Sequence, residues 1–330
     1  MASFKGADVY YRPGYLNAVF RRQEGEPVLF YCEKSCGRGF HVALIRDLSN
    51  LDFDFGSLGN FVDLCTPYGY GGPVMHTHDE RNAAAFFEQW SRAARELGAV
   101  SEFIRFHPVL KTHRFFDQCF DTRVAARTVA IDLGRSDAKA GFSRTCQKNI
   151  ETALKKGVEI DFAPSDDIGR FIRLYEMTME RREAREYYRF AGPYFRDLAE
   201  GLGDDLWVVL ATHEGKDVAG ALILRHGPYI HYHLGGSDYD YRSLCATNLL
   251  LARVARRGRE MGISTFHLGG GYQPGDGLFR FKSGFSSVHL DFHVGRIVFD
   301  EKTYSQLARR RKDVGQCDED FFPIYRSPEI

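Results

Sequence analysis

Lys282 stands in Phe279-Arg280-Phe281-Lys282-Ser283-Gly284-Phe285, directly after the Gly-rich run that starts at Gly269-Gly270-Gly271. A cation on such a loop can meet phosphates, or stabilise the oxyanion that forms when an ester carbonyl is attacked. The plain alternative is a solvated hairpin lysine between core phenylalanines. His231 and His233 alternate onto one side of a strand, with Tyr232 opposite. A histidine near its ordinary pKa can take a proton from an attacking ammonium, although a satisfied core histidine is the commoner case. Earlier in the chain, Arg105 and His107 leave a strand on one face, and Tyr68 and Tyr70 sit in the loop Thr66-Pro-Tyr-Gly-Tyr-Gly-Gly-Pro73, whose glycines permit close backbone approach to a ligand. These four residues suit a second substrate; tyrosines packing on a sheet are the alternative. Arg144, Lys148, Lys155 and Lys156 share adjacent faces of one helix and make a positive stripe in a chain of zero formal charge. That stripe suits either a phosphate backbone or open solvent.

The elements that must hold these groups are legible from periodicity. Tyr232 to Phe285 reads as strand, polar turn, helix from about Asn248 to Met261, short strand Thr265 to Leu268, and a Gly-rich basic loop. Two strand ends and a helix start therefore come together, which is where donors carrying phosphates are commonly held. Upstream, strands are expected at 27–32, 39–45 and 100–106, with a helix over Arg81 to Gly98. Further strands are expected at 128–133, 158–162, 206–212, 218–224 and 229–234, and helices over 142–157 and 168–185. The pattern describes a mixed α/β chain of two domains, 1–125 and 126–300, followed by a C-terminal helix and tail at 301–330.

Composition excludes several classes. A chain of 330 residues with 44% hydrophobic content buries sizeable cores, and a pI of about 7.2 gives no global signature of a nucleic-acid binder. Seven cysteines without regular spacing suit reduced thiols, and Cys32-x-x-x-Cys36 lacks the second pair a structural zinc site needs. No signal-like run and no stretch approaching ~20 apolar residues is present, so a cytoplasmic protein without an integral membrane segment is expected. Ser-His-Asp order, HExxH, Walker A and GxGxxG patterns are absent, so hydrolase, metalloprotease and dinucleotide readings lack support.

The basic helix with Arg144-x-x-x-Lys148-Asn149 and Ala153-Leu-Lys-Lys-Gly-Val158, the strand Ile230-His-Tyr-His-Leu-Gly-Gly236, the helix ending Arg259-Glu-Met-Gly262 and the Phe281-Lys282-x-Gly-Phe285 segment together resemble the Fem family. The first half is similar in its TPYGYGGP loop and SEFIRFHPV strand. The resemblance implies an α/β (α+β) fold of two tandem GNAT-like domains with mixed sheets and an acceptor cleft between them. It implies an aminoacyltransferase whose co-substrate is aminoacyl-tRNA and whose acceptor is a primary amine on a peptide or small molecule, with no cofactor. The chain departs from the family in lacking a long helical hairpin, since Tyr187 to Asp205 leaves no room for one, so a cell-wall acceptor does not follow.

The wider superfamily holds the pyrophosphate of CoA in R/Q-x-x-G-x-G/A at a helix start. Here the equivalent segment, Arg242-Ser-Leu-Cys245-Ala-Thr247, fills both glycine places with larger residues, which disfavours CoA. Lys282 and His233 are the expected catalytic residues, Tyr68, Tyr70, Arg105, His107 and Tyr232 the substrate-binding set, and Arg144, Lys148, Lys155, Lys156, Arg242 and Arg280 the donor-binding set. A CoA-dependent N-acyltransferase and a non-catalytic GNAT-like binding module stay open as alternatives. RNase sensitivity of the reaction, or absence of any acyl product, separates them.

Overall fold

The computed structural model describes residues 7–21, 25–33, 37–51, 61–76, 79–134, 141–182, 189–273 and 275–328. The described chain forms two compact units. One comprises Met1–Tyr11, Val19–Ala125 and Phe292–Ile330; the other comprises Arg12–Ala18 and Ala126–Asp291. The units divide at Ala125/Ala126, and the chain returns to the first unit at Phe292. The C-terminal segment is therefore part of that unit and not a separate tail.

In chain order the elements are α1 (Pro13–Phe20), β1 (Glu26–Cys32), β2 (Gly39–Asp47), β3 (Val62–Cys65), β4 (Val74–Met75), α2 (Glu80–Glu96), β5 (Ala99–Arg105) and β6 (Asp121–Asp132). They continue with α3 (Arg144–Lys155), β7 (Glu159–Ala163), α4 (Ile168–Arg181), α5 (Gly192–Leu202), β8 (Leu206–His213), β9 (Lys216–His226) and β10 (Tyr229–Ser237). The last are α6 (Ala246–Glu260), β11 (Thr265–Gly269), α7 (Gly277–Ser283), β12 (His289–Val298) and α8 (Glu301–Val314). Residues 183–185, expected at the end of the α4 helix, lie outside the described residues, as does Cys36.

The first unit runs β1-β2-β3-β5-β12 in its sheet, with β4 on β2. Helix α2 starts at Asp79, whose carboxylate accepts the Asn82 N–H, and buries Ala83, Phe86, Trp90 and Ala94 at helical spacing. Behind it Glu102, fully buried, accepts from the Trp90 indole at 2.9 Å and lies 2.6 Å from His41 Nε2. A buried carboxylate survives only with such partners. Glu102→Ala is expected to destabilise the protein by about 3 kcal/mol, because it strands the Trp90 donor; chemical denaturation reads the loss. The C-terminal segment is tied down by Arg326, whose Nε donates to the buried Asp63, and by Tyr325, whose hydroxyl lies 2.7 Å from that of Ser101.

Cys32 is disulfide-bonded, which corrects the expectation that every thiol is reduced. It closes β1 opposite Gly39, where the hairpin folds the chain back on itself. Cys65, Cys119, Cys146, Cys245 and Cys317 are free.

The second unit orders its strands β6-β11-β10-β9-β8-β7. Its β10–β11 pair is parallel, while β6–β11, β9–β10, β8–β9 and β7–β8 are antiparallel. Alternation along the strands serves two helical layers. Trp207, Val209, Ala221 and Ile223 join Ile150 of α3 and Leu250 and Val254 of α6 in one core. Gly220 turns the other way, where a Cβ would meet Phe171 and Leu174 of α4 at 3.1 and 3.2 Å. Among the described residues, no helix is long and apolar enough to cross a membrane.

Candidate active site

Strands β10 and β11 are paired at only three positions, Tyr229 with Thr265, Ile230 with Phe266 and His231 with His267. Past that point β10 stays with β9 as far as Ser237, while β11 stays with β6 as far as Gly269. Two parallel strands that part at their C-terminal ends expose backbone groups that no ladder uses. The glycines required here mark close approaches. A Cβ at Gly235 would collide with the Tyr232 hydroxyl, one at Gly270 would lie 2.8 Å from the Arg127 carbonyl oxygen, and one at Gly271 would strike the Asp276 carboxylate at 2.1 Å.

Lys282 occupies this opening. It sits on α7, a short helix capped by Asp276 and ended at Gly284, and not on a hairpin loop as its sequence context suggested. Its side chain is buried; Nζ donates to the Gly270 carbonyl at 2.7 Å and lies 5.5 Å from the centre of the Tyr232 ring. Burial pulls the ammonium pKa down to about 8, against an opposing pull from Asp276. The Tyr232 hydroxyl is itself pushed up to about 12, chiefly by burial, so it stays a neutral donor.

His233 is placed differently from the expectation. The register of β10 against β9 shifts between Tyr232 and Leu234, so the alternation that paired His233 with His231 is broken by a bulge. His231 is fully buried with its Nδ1 3.2 Å from that of His267. The His233 Nε2 lies 2.6 Å from the Tyr194 hydroxyl, and its ring stands among Tyr15, Phe190 and Tyr194. Burial, with His231 adding to it, holds its pKa down to about 3. A ring so hard to protonate is a poor base toward an ammonium, which argues against the proton-accepting role and for a fixed polar contact with Tyr194.

Arg144, Lys148 and Lys155 are exposed on α3, opposite the buried Cys146, Ile150 and Ala153. Lys156, the cap residue, bonds the Ser243 carbonyl at 3.0 Å, so the C-terminal end of the stripe reaches the segment before α6. Arg242 packs its guanidinium 4.3 Å over Tyr239, and Arg280 bonds the Gly275 carbonyl. Helix α6 begins at Ala246, two residues earlier than expected, after Cys245 in a left-handed conformation at φ 55° and without a side-chain cap. Its first N–H groups thus lack the internal acceptors of later turns and favour an anion.

The remaining candidates lie in the first unit. The Gly71 N–H donates to the Arg105 carbonyl and the His107 N–H to Gly71, so the glycine loop is laced onto the end of β5. Arg105 spends its guanidinium on the Thr66 and Pro67 carbonyls, at 2.9 and 3.3 Å. His107 is fully buried, with Nε2 2.9 Å from Asp8 and Nδ1 accepting the Leu110 N–H. Tyr70 packs edge-on against Tyr10 and Phe292, and Tyr68 is half-buried.

Residues 141–283 match the family described as acetyltransferase (GNAT) domain. No curated protein matches the sequence. Among solved structures, the crystal structure of FemX is 13% identical with a TM-score of 0.69, over 90% of this chain and 96% of that one. Over residues 141–283 the chain is thus similar to GNAT domains, within a fold similar to that of FemX. The C-terminal domain of a putative lysylphosphatidylglycerol synthetase from Agrobacterium fabrum is 17% identical, TM-score 0.57, over 91% and 95% of the two chains. L-PGS from Bacillus licheniformis is 12% identical, TM-score 0.57, over 91% and 96%. At these identities the likenesses establish the fold. The matched GNAT segment begins just before α3 and ends just past Lys282, so it spans the parted strands and the start of α6. Sequence reading missed Asp276, Tyr194 and Tyr15; an Asp three residues before Phe279 at a helix start is the one local signal that could have found the first.

Proposed function

We propose that the protein is an amide-forming aminoacyltransferase that moves an amino acid from aminoacyl-tRNA to a primary amine of a peptide or small molecule. The observation that carries this is the Lys282 ammonium, buried at the parting of β10 and β11 and anchored by Gly270 and Tyr232. The acceptor nitrogen attacks the ester carbonyl carbon, the C–N bond forms, the ribose oxygen leaves, and the proton lost by the ammonium returns to that oxygen. Lys282 is the donor to the oxygen that gains charge. With His233 a weak base, the proton is taken by water or by the substrate's own groups. Most of the acceleration comes from holding two substrates in register. FemX and the lysylphosphatidylglycerol synthetases as fold neighbours support an aminoacyl donor over a simple acetyl group. A cytoplasmic site goes with a tRNA donor.

The uncapped start of α6 favours one second reading, an acyl-CoA donor with its pyrophosphate there. Cys245 and Thr247 stand against it, because their side chains crowd a loop that usually relies on glycine. RNase decides: treatment of the donor abolishes amide formation if tRNA carries the amino acid, and leaves it unchanged if CoA does. The α3 stripe gives a further expectation. Changing Arg144, Lys148 and Lys155 together to Ala weakens donor binding and lowers the slope of log affinity against log salt by about one for each phosphate no longer neutralised, read by filter binding across a salt series. An unchanged slope assigns the stripe to solvent.

A further inference from the structure

Asp276 enters no chemical step, yet the geometry around Lys282 converges on it. Its Oδ1 accepts the Phe279 N–H at 2.7 Å, which is ordinary helix capping. Its Oδ2 reaches back across the turn to the N–H groups of Tyr272 at 2.8 Å and Gln273 at 3.3 Å, close in sequence to Gly270, the residue that follows β11. Capping needs only the first bond. The backward reach also demands glycine at 271, since a Cβ there would meet Oδ1 at 2.1 Å. Lys282 closes the same connection from the opposite side by donating to the Gly270 carbonyl.

We propose that Asp276 is the positioning residue for Lys282: its carboxylate fastens the turn after β11 to the first turn of α7, and so sets the Gly270 carbonyl where it holds the ammonium beside the Tyr232 ring. The proposal deepens the aminoacyltransferase reading and rests on it for the catalytic meaning of Lys282, but not for the geometry. Serine or asparagine caps a helix as well as aspartate. Only the carboxylate adds a negative charge that opposes the desolvation of a buried amine. The titratable and charged groups acting on that amine are Asp276 from the turn and Tyr232 from β10, with Tyr272 and Arg182 acting in turn on Tyr232; Arg280, on the same helix α7, bonds the Gly275 carbonyl instead. Of these, Asp276 carries the negative charge that favours the charged form, and the Tyr232 ring face adds a weaker cation–π attraction.

The test compares Asp276→Ser and Asp276→Ala with the unaltered protein. Thermal melting is expected to show that Ser regains most of the stability that Ala forfeits, because it restores the cap. Competitive acetylation by acetic anhydride across a pH series, read by mass spectrometry on the Lys282 peptide, is expected to place the titration midpoint of Lys282 at lower pH in both variants. The kcat for transfer is expected to fall about ten- to a hundredfold in both, with the donor KM unchanged. If Ser restores the midpoint and kcat together with stability, Asp276 is only a cap and the proposal is overturned. If the unaltered protein makes no amide from aminoacyl-tRNA, the functional reading fails, and the acetylation midpoint still decides: a shift supports the positioning role and an unmoved midpoint ends it.

Discussion

Lys282→Met is expected to slow amide formation by about 10²–10³-fold while leaving the fold intact, because it removes one preorganised donor to the developing oxyanion. Methionine keeps most of the buried volume and drops only the charge and its bond to Gly270. The unaltered enzyme adds a pH signature. Its Lys282 titrates at about 8, so the donor is a cation below that pH and is neutralised above it. Transfer should therefore decline as pH rises through that range, and Lys282→Met should lose this limb. Stability behaves in the opposite sense: a lysine whose folded pKa lies below its unfolded value binds fewer protons when folded, so stability rises with pH between the two values. Single-turnover rates across a pH series, with melting curves on the same samples, check both. Full activity in the Met variant, with the alkaline limb retained, removes Lys282 from the site.

Gly236→Ala is expected to destabilise the protein by about 2–3 kcal/mol and to disturb the site at long range. A Cβ at Gly236 would lie 2.5 Å from the backbone carbon of Leu174 and the nitrogen of Tyr175 in α4. Backbone cannot swing away as a side-chain tip can, so α4 or the end of β10 must move. Thr178 bonds across the same contact, its hydroxyl donating to the Ser237 carbonyl at 3.1 Å and accepting the Ser237 N–H at 2.8 Å. Urea denaturation measures the loss, and Gly262→Ala serves as a contrast: that residue adopts φ 73° with open space around it, so its cost is backbone strain alone. Equal stability of Gly236→Ala and the unaltered protein would show that the approach of α4 to β10 is looser than the structure has it.

How much was legible beforehand follows from what each signal depends on. Period-two and period-3.6 patterns placed β1, β2, α2, α3, β8, β9 and α6 to within a few residues, since alternation against a core is local. The pattern carries no clear sign of helix α5, and it reads α7 as a loop. Glycines and a proline precede α7, and its seven residues are too few to show a period. Strand β12 was missed because its pattern is mostly half-buried and polar. Residues far apart in sequence supplied what spacing could not. Arg105 looked like a ligand-binding cation and is turned onto its own loop, while His107 is partnered by Asp8 from the far N-terminus.

By itself the sequence determined the order of strands and helices, the glycines at 235, 236 and 269–271, and the presence of a lysine beside them, because those depend on chain-local sterics and periodicity. Only the tertiary structure decided that Lys282 is buried and anchored and that His233 is held neutral against Tyr194. It also decided that Asp276 ties the turn together. Each depends on where β10 and β11 part, and on the burial and partners that distant segments bring to that point.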